Sequence, residues 1–100
     1  GNFNKAMKII LQKLKYKKDR SATFVCSLSF KNSKGRIFTV VGRVNGSISL
    51  KIVGKKGFGY DPIFIPNSHK ITFGEMNKLK KIKMDHRFIA FKKLKKKSNI

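Results

Sequence analysis

The chain predicts an α/β domain in which a mixed, largely antiparallel sheet is flanked by helices. Its first segment spaces apolar residues at helical intervals, its middle alternates polar and apolar residues, and its last segment returns to a helical period. A hydrophobic fraction of 40% over 100 residues belongs to a small folded domain, or part of one, and not to a disordered chain.

From Asn2 to Lys15, the spacing of Phe3, Met7, Ile10, Leu11 and Leu14 predicts one apolar helix face, with Asn2 or Asn4 as the cap. Lys17-Lys18-Asp19-Arg20 ends it. Ala22 to Phe30 then alternates, Phe24, Cys26, Leu28 and Phe30 against Thr23, Val25, Ser27 and Ser29, which predicts a strand with one face more deeply buried. Asn32-Ser33-Lys34-Gly35 reads as a turn and Arg36 to Val44 as a second strand. Asn45-Gly46 is the strongest hairpin signal in the chain, so Ser47 to Val53 is expected as a third strand. Ile63-Phe64-Ile65 is a short strand that Pro66 terminates. Asp85 to Lys96 closes the chain as a helix with Phe88, Ile89, Phe91 and Leu94 inward, its lysine-rich tail frayed.

The formal charge is +21, from 25 Lys and Arg against 4 Asp and Glu. Such a balance points to polyanionic partners, nucleic acid or phosphorylated ligands. The lysines are spread along the chain, densest at Lys13–Lys18, Lys78–Lys83 and Lys92–Lys97, and arginine is scarce. Heavy use of Lys, Ile, Asn and Phe is also what an AT-rich coding sequence produces. No apolar run approaches the roughly 20 residues of a membrane span, and no signal peptide is legible. The lone Cys26 permits no internal disulfide and fits a reducing cytoplasm. The chain does not begin with methionine, which sets the expectation of something upstream.

Hydrolytic chemistry on a phosphoanhydride needs a metal held by carboxylates. The chain offers Asp19, Asp61, Glu75 and Asp85, and no two of them have a spacing that pairs them on one strand or helix. No zinc cluster, P-loop or supported Ser-His-Asp arrangement is present. Recognition is better served. In Gly57-Phe58-Gly59-Tyr60-Asp61-Pro62, two glycines flank a ring and a proline stiffens the exit, a frame for a flat heterocycle. Phe58 reads as a ligand-stacking ring, because the glycines open space that core packing would close. Tyr60 reads as a support beneath the loop. Asp61 is either a turn acceptor or a buried partner for Lys81 or Arg87. Asp85 precedes an apolar helical pattern and reads as its N-cap, placing His86 and Arg87 in a first turn that favours electron-rich ligands.

Taken in order and spacing, these segments resemble the C-terminal half of the non-canonical purine nucleoside triphosphate pyrophosphatases, the inosine/xanthosine triphosphatase or Ham1-like family. Arg20 through Cys26 is similar to the opening of a family strand, and Gly42, Gly46 and Ile48 reproduce a family spacing. Gly57 through Phe64 is close to the consensus, and Thr72 through Met76 is followed at family spacing by Lys81, His86-Arg87 and Ala90. The resemblance implies an elongated two-lobed domain with a long curved sheet, of which residues 1–100 would be the C-terminal half, usually assembled as a homodimer. It implies Mg²⁺-dependent hydrolysis of ITP, dITP and XTP to the monophosphate and pyrophosphate. It also implies that Phe58, Gly59, Tyr60 and Asp61 line the base pocket, with Lys81, His86 and Arg87 contacting the nucleotide. Inosine and xanthine present a carbonyl where adenine presents an amino group, so cationic donors at Arg87 and Lys81 would favour them, by about 1–3 kcal/mol per group otherwise left unsatisfied.

Two departures qualify the resemblance. The family usually has serine where Asp85 stands, and the added carboxylate is expected to raise the pKa of His86. The family's N-terminal half, with its Ser-Gly-Asn-x-x-Lys phosphate loop, metal-binding glutamate and water-activating aspartate, has no counterpart here. Metal and catalytic roles therefore transfer to no residue of this chain, and the chemistry is expected from a missing or separately encoded N-terminal half. The rival expectation is a catalytically dead basic fragment that binds nucleic acid or nucleotides non-specifically, or a remnant stable only with a partner.

Overall fold

The computed structural model describes residues 2–98, and of Asn2 and Ser98 the backbone only. Helix α1 spans Asn2–Lys13, slightly shorter than its apolar spacing predicts. Met7 is its buried anchor, and Ile10, Leu11 and Leu14 are half-buried. Asn4 lies inside the helix and is not its cap, while the reading of Asn2 as a cap concerns a side chain outside the described residues. Arg20 ties the next connection together, donating to the carbonyls of Leu14, Ile48 and Ser49.

Strand β1, Ser21–Lys31, alternates exposed and half-buried residues along its whole length, with the Phe24, Cys26, Leu28 and Phe30 face inward as the pattern requires. It pairs antiparallel with β2, Ile37–Ile48, across the Asn32–Gly35 turn. The Asn32 carboxamide oxygen accepts from the backbone of Lys34 and Arg36, which closes that turn.

The second expected hairpin does not form. β2 runs straight through Asn45-Gly46, and Ser47–Val53 is not a third strand. Asn45 faces outward and accepts a hydrogen bond from Thr23 Oγ1 at 2.9 Å. Gly46 is present because β3, Phe64–Pro66, crosses directly against it. A Cβ there would collide with the Ile65 carbonyl and the Phe64 ring. Close backbone approach, not a turn, explains this glycine. β3 pairs antiparallel with β2, Gly46 opposite Pro66, so the described sheet has the order β1-β2-β3.

Helix α2, Lys78–Ile82, is capped by Asn77, whose side chain accepts from the Leu79 N–H at 2.9 Å. Helix α3, His86–Ser98, packs across β1 and β2. It sits close because Gly42 has no Cβ. A methyl group there would strike the His86 carbonyl and the Ala90 backbone. The core lies between sheet and helix: Val44, Phe64, Phe73 and Met76, flanked by Ala22, Phe24, Met84 and Ile89. Phe64 and Phe73 are fully buried, worth about 1.5–3 kcal/mol each. On α3 the residues facing this core are Ile89 and Ala90, whereas Phe91, expected inward, is 57% exposed. Its lysine-rich end is helical through Ser98. The domain is elongated, 51 × 27 × 25 Å.

Candidate functional site

The Gly57–Pro62 loop is held open by its own backbone. Gly57 and Gly59 adopt φ of 73° and 67°, and a Cβ on Gly57 would overlap the Asp61 carboxylate. That carboxylate turns back on the loop, accepting from the Phe58 N–H at 2.8 Å. Pro62 sits in a short 3₁₀ turn, Asp61–Ile63, that leads into β3. Phe58 is therefore lifted out of the core and stands 58% exposed, as its flanking glycines predict. Tyr60 and Phe58 both meet the edge of Phe3, at ring-centre distances of 5.3 and 6.4 Å. α1 thus supports the loop through Phe3, a contribution that its ordinary helical spacing does not reveal.

The second wall is the start of α3. Asp85 caps it, its Oδ1 accepting from the Phe88 N–H at 2.8 Å. Arg87, in the first turn, extends over Phe58 with its guanidinium carbon 4.2 Å from the ring centre. Between the walls lies a cleft of about 990 Å³, lined among others by Phe58, Lys81, Arg87, Leu79, Ile82 and Phe91. The two apolar residues of α2 were hidden in a lysine run. Their i, i+3 spacing was the available signal.

Lys81 joins the two walls from beneath. Its ammonium lies 3.0 Å from Asp61 Oδ2 and 3.5 Å from Asp85 Oδ2, and all three residues are buried. It also lies 5.6 Å from the centre of the Phe73 ring. Of the partners considered for Asp61, Lys81 is the one it pairs with. Two carboxylates share one buried lysine, so each oxygen that touches it carries part of the compensation that burial of charge demands.

His86 takes a different position. Its ring meets Phe24 edge-on at 5.1 Å, away from the cleft lining, and its buried Nδ1 has no hydrogen-bond partner among the described residues. The expected rise in its pKa does not occur. Burial, then the adjacent Arg87 charge, hold it below the ordinary value of 6.5 and outweigh the upward pull of Asp85.

Phe58, Lys81 and Arg87 therefore converge on one cleft. Gly59, Tyr60 and Asp61 shape it from behind, and His86 stands apart. The carboxylates are committed to structural bonds: Asp19 to Ser21, Glu75 to the Thr72 N–H, Asp61 and Asp85 as above. Among the described residues no group of three His, Cys, Asp or Glu side chains could hold a metal ion. Those side chains do not fit a divalent metal. What they offer is an exposed aromatic face, a cation above it and apolar walls, the parts of a binding cleft.

No helix of the described residues is long and apolar enough to cross a membrane. Comparison with known proteins places the same residues in a family. A protein of Saccharolobus solfataricus named dITP/XTP pyrophosphatase is 48% identical over 87 residues, 87% of this chain and 45% of that one. One of Caulobacter vibrioides with the same name is 43% identical over 96 residues, 94% of this chain and 50% of that one. Among solved structures, the Staphylococcus aureus Ham1 protein superposes with a TM-score of 0.90 at 31% identity, covering 97% of this chain and 50% of that one. The chain thus spans about half the length of these relatives. The Ham1 family model matches residues 1–97, and the chain belongs to that family.

Proposed function

We propose that this chain supplies the base-recognition half of a pyrophosphatase acting on non-canonical purine nucleoside triphosphates such as ITP, dITP and XTP. The observation that carries the reading is the exposed Phe58 face with the Arg87 guanidinium above it, at a cleft large enough for a nucleoside. A purine stacks on Phe58, and Arg87 leaves the ring to donate to the carbonyl at purine C6. The exchange is favourable. An exposed cation–π contact is worth about 0.5–1 kcal/mol, whereas a hydrogen bond from a charged donor is worth about 1.5–3 kcal/mol. Adenine, with an amino group at that position, leaves the donor unanswered.

In this reading Lys81, Asp61 and Asp85 set the separation of the Phe58 loop and the Arg87 helix, and Gly59 and Tyr60 keep the loop rigid. Lys81, which lines the cleft, adds a nucleotide contact once a ligand is seated. Residues 1–100 form the C-terminal half of one Ham1-like domain. The water-activating base, the Mg²⁺ ligands and the triphosphate-binding loop belong to a complementing N-terminal half, and the complete enzyme works as a cytoplasmic homodimer. The commitment of this chain's carboxylates to structural bonds supports that division.

The test is pyrophosphate release from ITP, with ATP as control, by this chain with Mg²⁺. No release is expected. Release selective for ITP would overturn the division of labour, because these carboxylates would then have to build a metal site.

A further inference from the structure

A second hollow, of about 470 Å³, lies on the other side of Phe88. Its apolar residues are Met84, Phe88 and Ile89, and its remaining lining is Lys83, Lys92, Lys93 and Lys96. No carboxylate lines it, and the chain's carboxylates are engaged elsewhere. Lys92 lies over the Phe88 ring at 5.6 Å, and Lys93 donates to the Val41 carbonyl at 2.8 Å, which fixes this stretch of α3 on the sheet.

Lysines in a last helical turn also complement the helix dipole, which accounts for Lys95–Lys97. That effect does not reach Lys83, which precedes the helix, or Lys92 in its middle. Clustered cations around a recessed aromatic floor match a ligand with phosphates along its backbone and unpaired flat bases. An anionic membrane matches less well, because it calls for apolar side chains that protrude, and Met84, Phe88 and Ile89 are half-buried in a concavity.

We propose that this lysine-rimmed hollow on α3 binds a single-stranded nucleic acid, phosphates on Lys83, Lys92 and Lys96 and a base against Phe88. The site is separate from the nucleotide cleft and independent of its proposed activity. The experiment measures fluorescence anisotropy of labelled oligothymidylate and oligouridylate of about 15 nucleotides at about 0.1 M salt. It compares the chain with the triple variant Lys83→Gln, Lys92→Gln, Lys96→Gln. The control variant Lys5→Gln, Lys31→Gln, Lys34→Gln loses equal charge at exposed sites elsewhere.

The hollow variant is expected to bind at least about tenfold more weakly, with a salt slope shallower by about 2, and the control within about threefold of the parent. In the parent, bound oligonucleotide should shield Lys83, Lys92 and Lys96 from acetylation and leave Lys5, Lys31 and Lys34 reactive, a readout that needs no variant. Equal losses in the two variants, absence of binding by the parent, or equal affinity for duplex of the same length would each overturn the proposal. So would capture by phosphatidylserine vesicles that the oligonucleotide does not compete away.

Discussion

The Arg87 guanidinium rests 4.2 Å above the centre of the Phe58 ring, although β3 and α2 intervene in the chain. The contact brings together the two segments on which ligand recognition would depend. Both side chains are exposed, so neither is held there by core packing. Phe58→Ala removes only the Arg87 and Phe3 contacts, so it should cost about 1 kcal/mol of stability and leave the circular dichroism spectrum intact, while weakening ITP binding. Loss of the folded spectrum would mean that Phe58 is a packing residue.

Arg87→Ala should cost ITP affinity about tenfold or more, the equivalent of one hydrogen bond from a charged donor, and affect ATP far less. Equal losses for the two nucleotides in calorimetric titrations would show that Arg87 supplies charge without reading the base.

The shared lysine makes an ordered prediction. Lys81→Met leaves Asp61 and Asp85 buried without a cation and should destabilise the fold by about 3–5 kcal/mol. Asp85→Ser retains a cap acceptor for Phe88, and Lys81 keeps Asp61, so its cost should be nearer 1 kcal/mol. Urea denaturation of both variants checks the order, and a larger loss for Asp85→Ser would contradict it.

Gly46 separates a continuous strand from a hairpin. Gly46→Ala forces a methyl group into the Ile65 carbonyl and should cost about 2 kcal/mol or more. Gly35→Ala, in a true turn at φ 82° with open space around it, should cost about 1–2 kcal/mol. A harmless Gly46→Ala in thermal unfolding would return Asn45-Gly46 to the status of a turn.

These residues also show what the sequence makes legible. The alternation of β1, the Asp85 cap and the exposure of Phe58 each follow from local chemistry: side-chain period, an acceptor before a helix, a ring between glycines. Asn45-Gly46 misleads because its local preference yields to pairing with β1 and β3. The inward run of Gly42, Val44 and Gly46 was the sign that the strand continues. Lys81 was one lysine among many, since its role arises from two carboxylates that only the fold brings near. Phe91 was placed inward by helical spacing, but the close seat of Ala90 against Gly42 turns it towards the cleft.

His86 predicts a pH dependence. Its pKa is lowered on folding by burial and then by Arg87 and Lys81, against the opposing pull of Asp85 and Asp61. Below its ordinary value of 6.5 the unfolded chain takes up a proton that the folded chain resists, so stability falls as pH drops through the window just beneath that value. His86→Asn should flatten that part of the profile of thermal unfolding against pH. An unchanged slope would assign it to other groups.

Whether this chain reads the base is decided by titrating it with ITP and with ATP at one salt concentration. ITP should bind at least about tenfold tighter than ATP, as one satisfied polar group implies. Equal affinities, falling together as salt rises, would show attraction of phosphate to a cationic surface and contradict base recognition at Phe58 and Arg87.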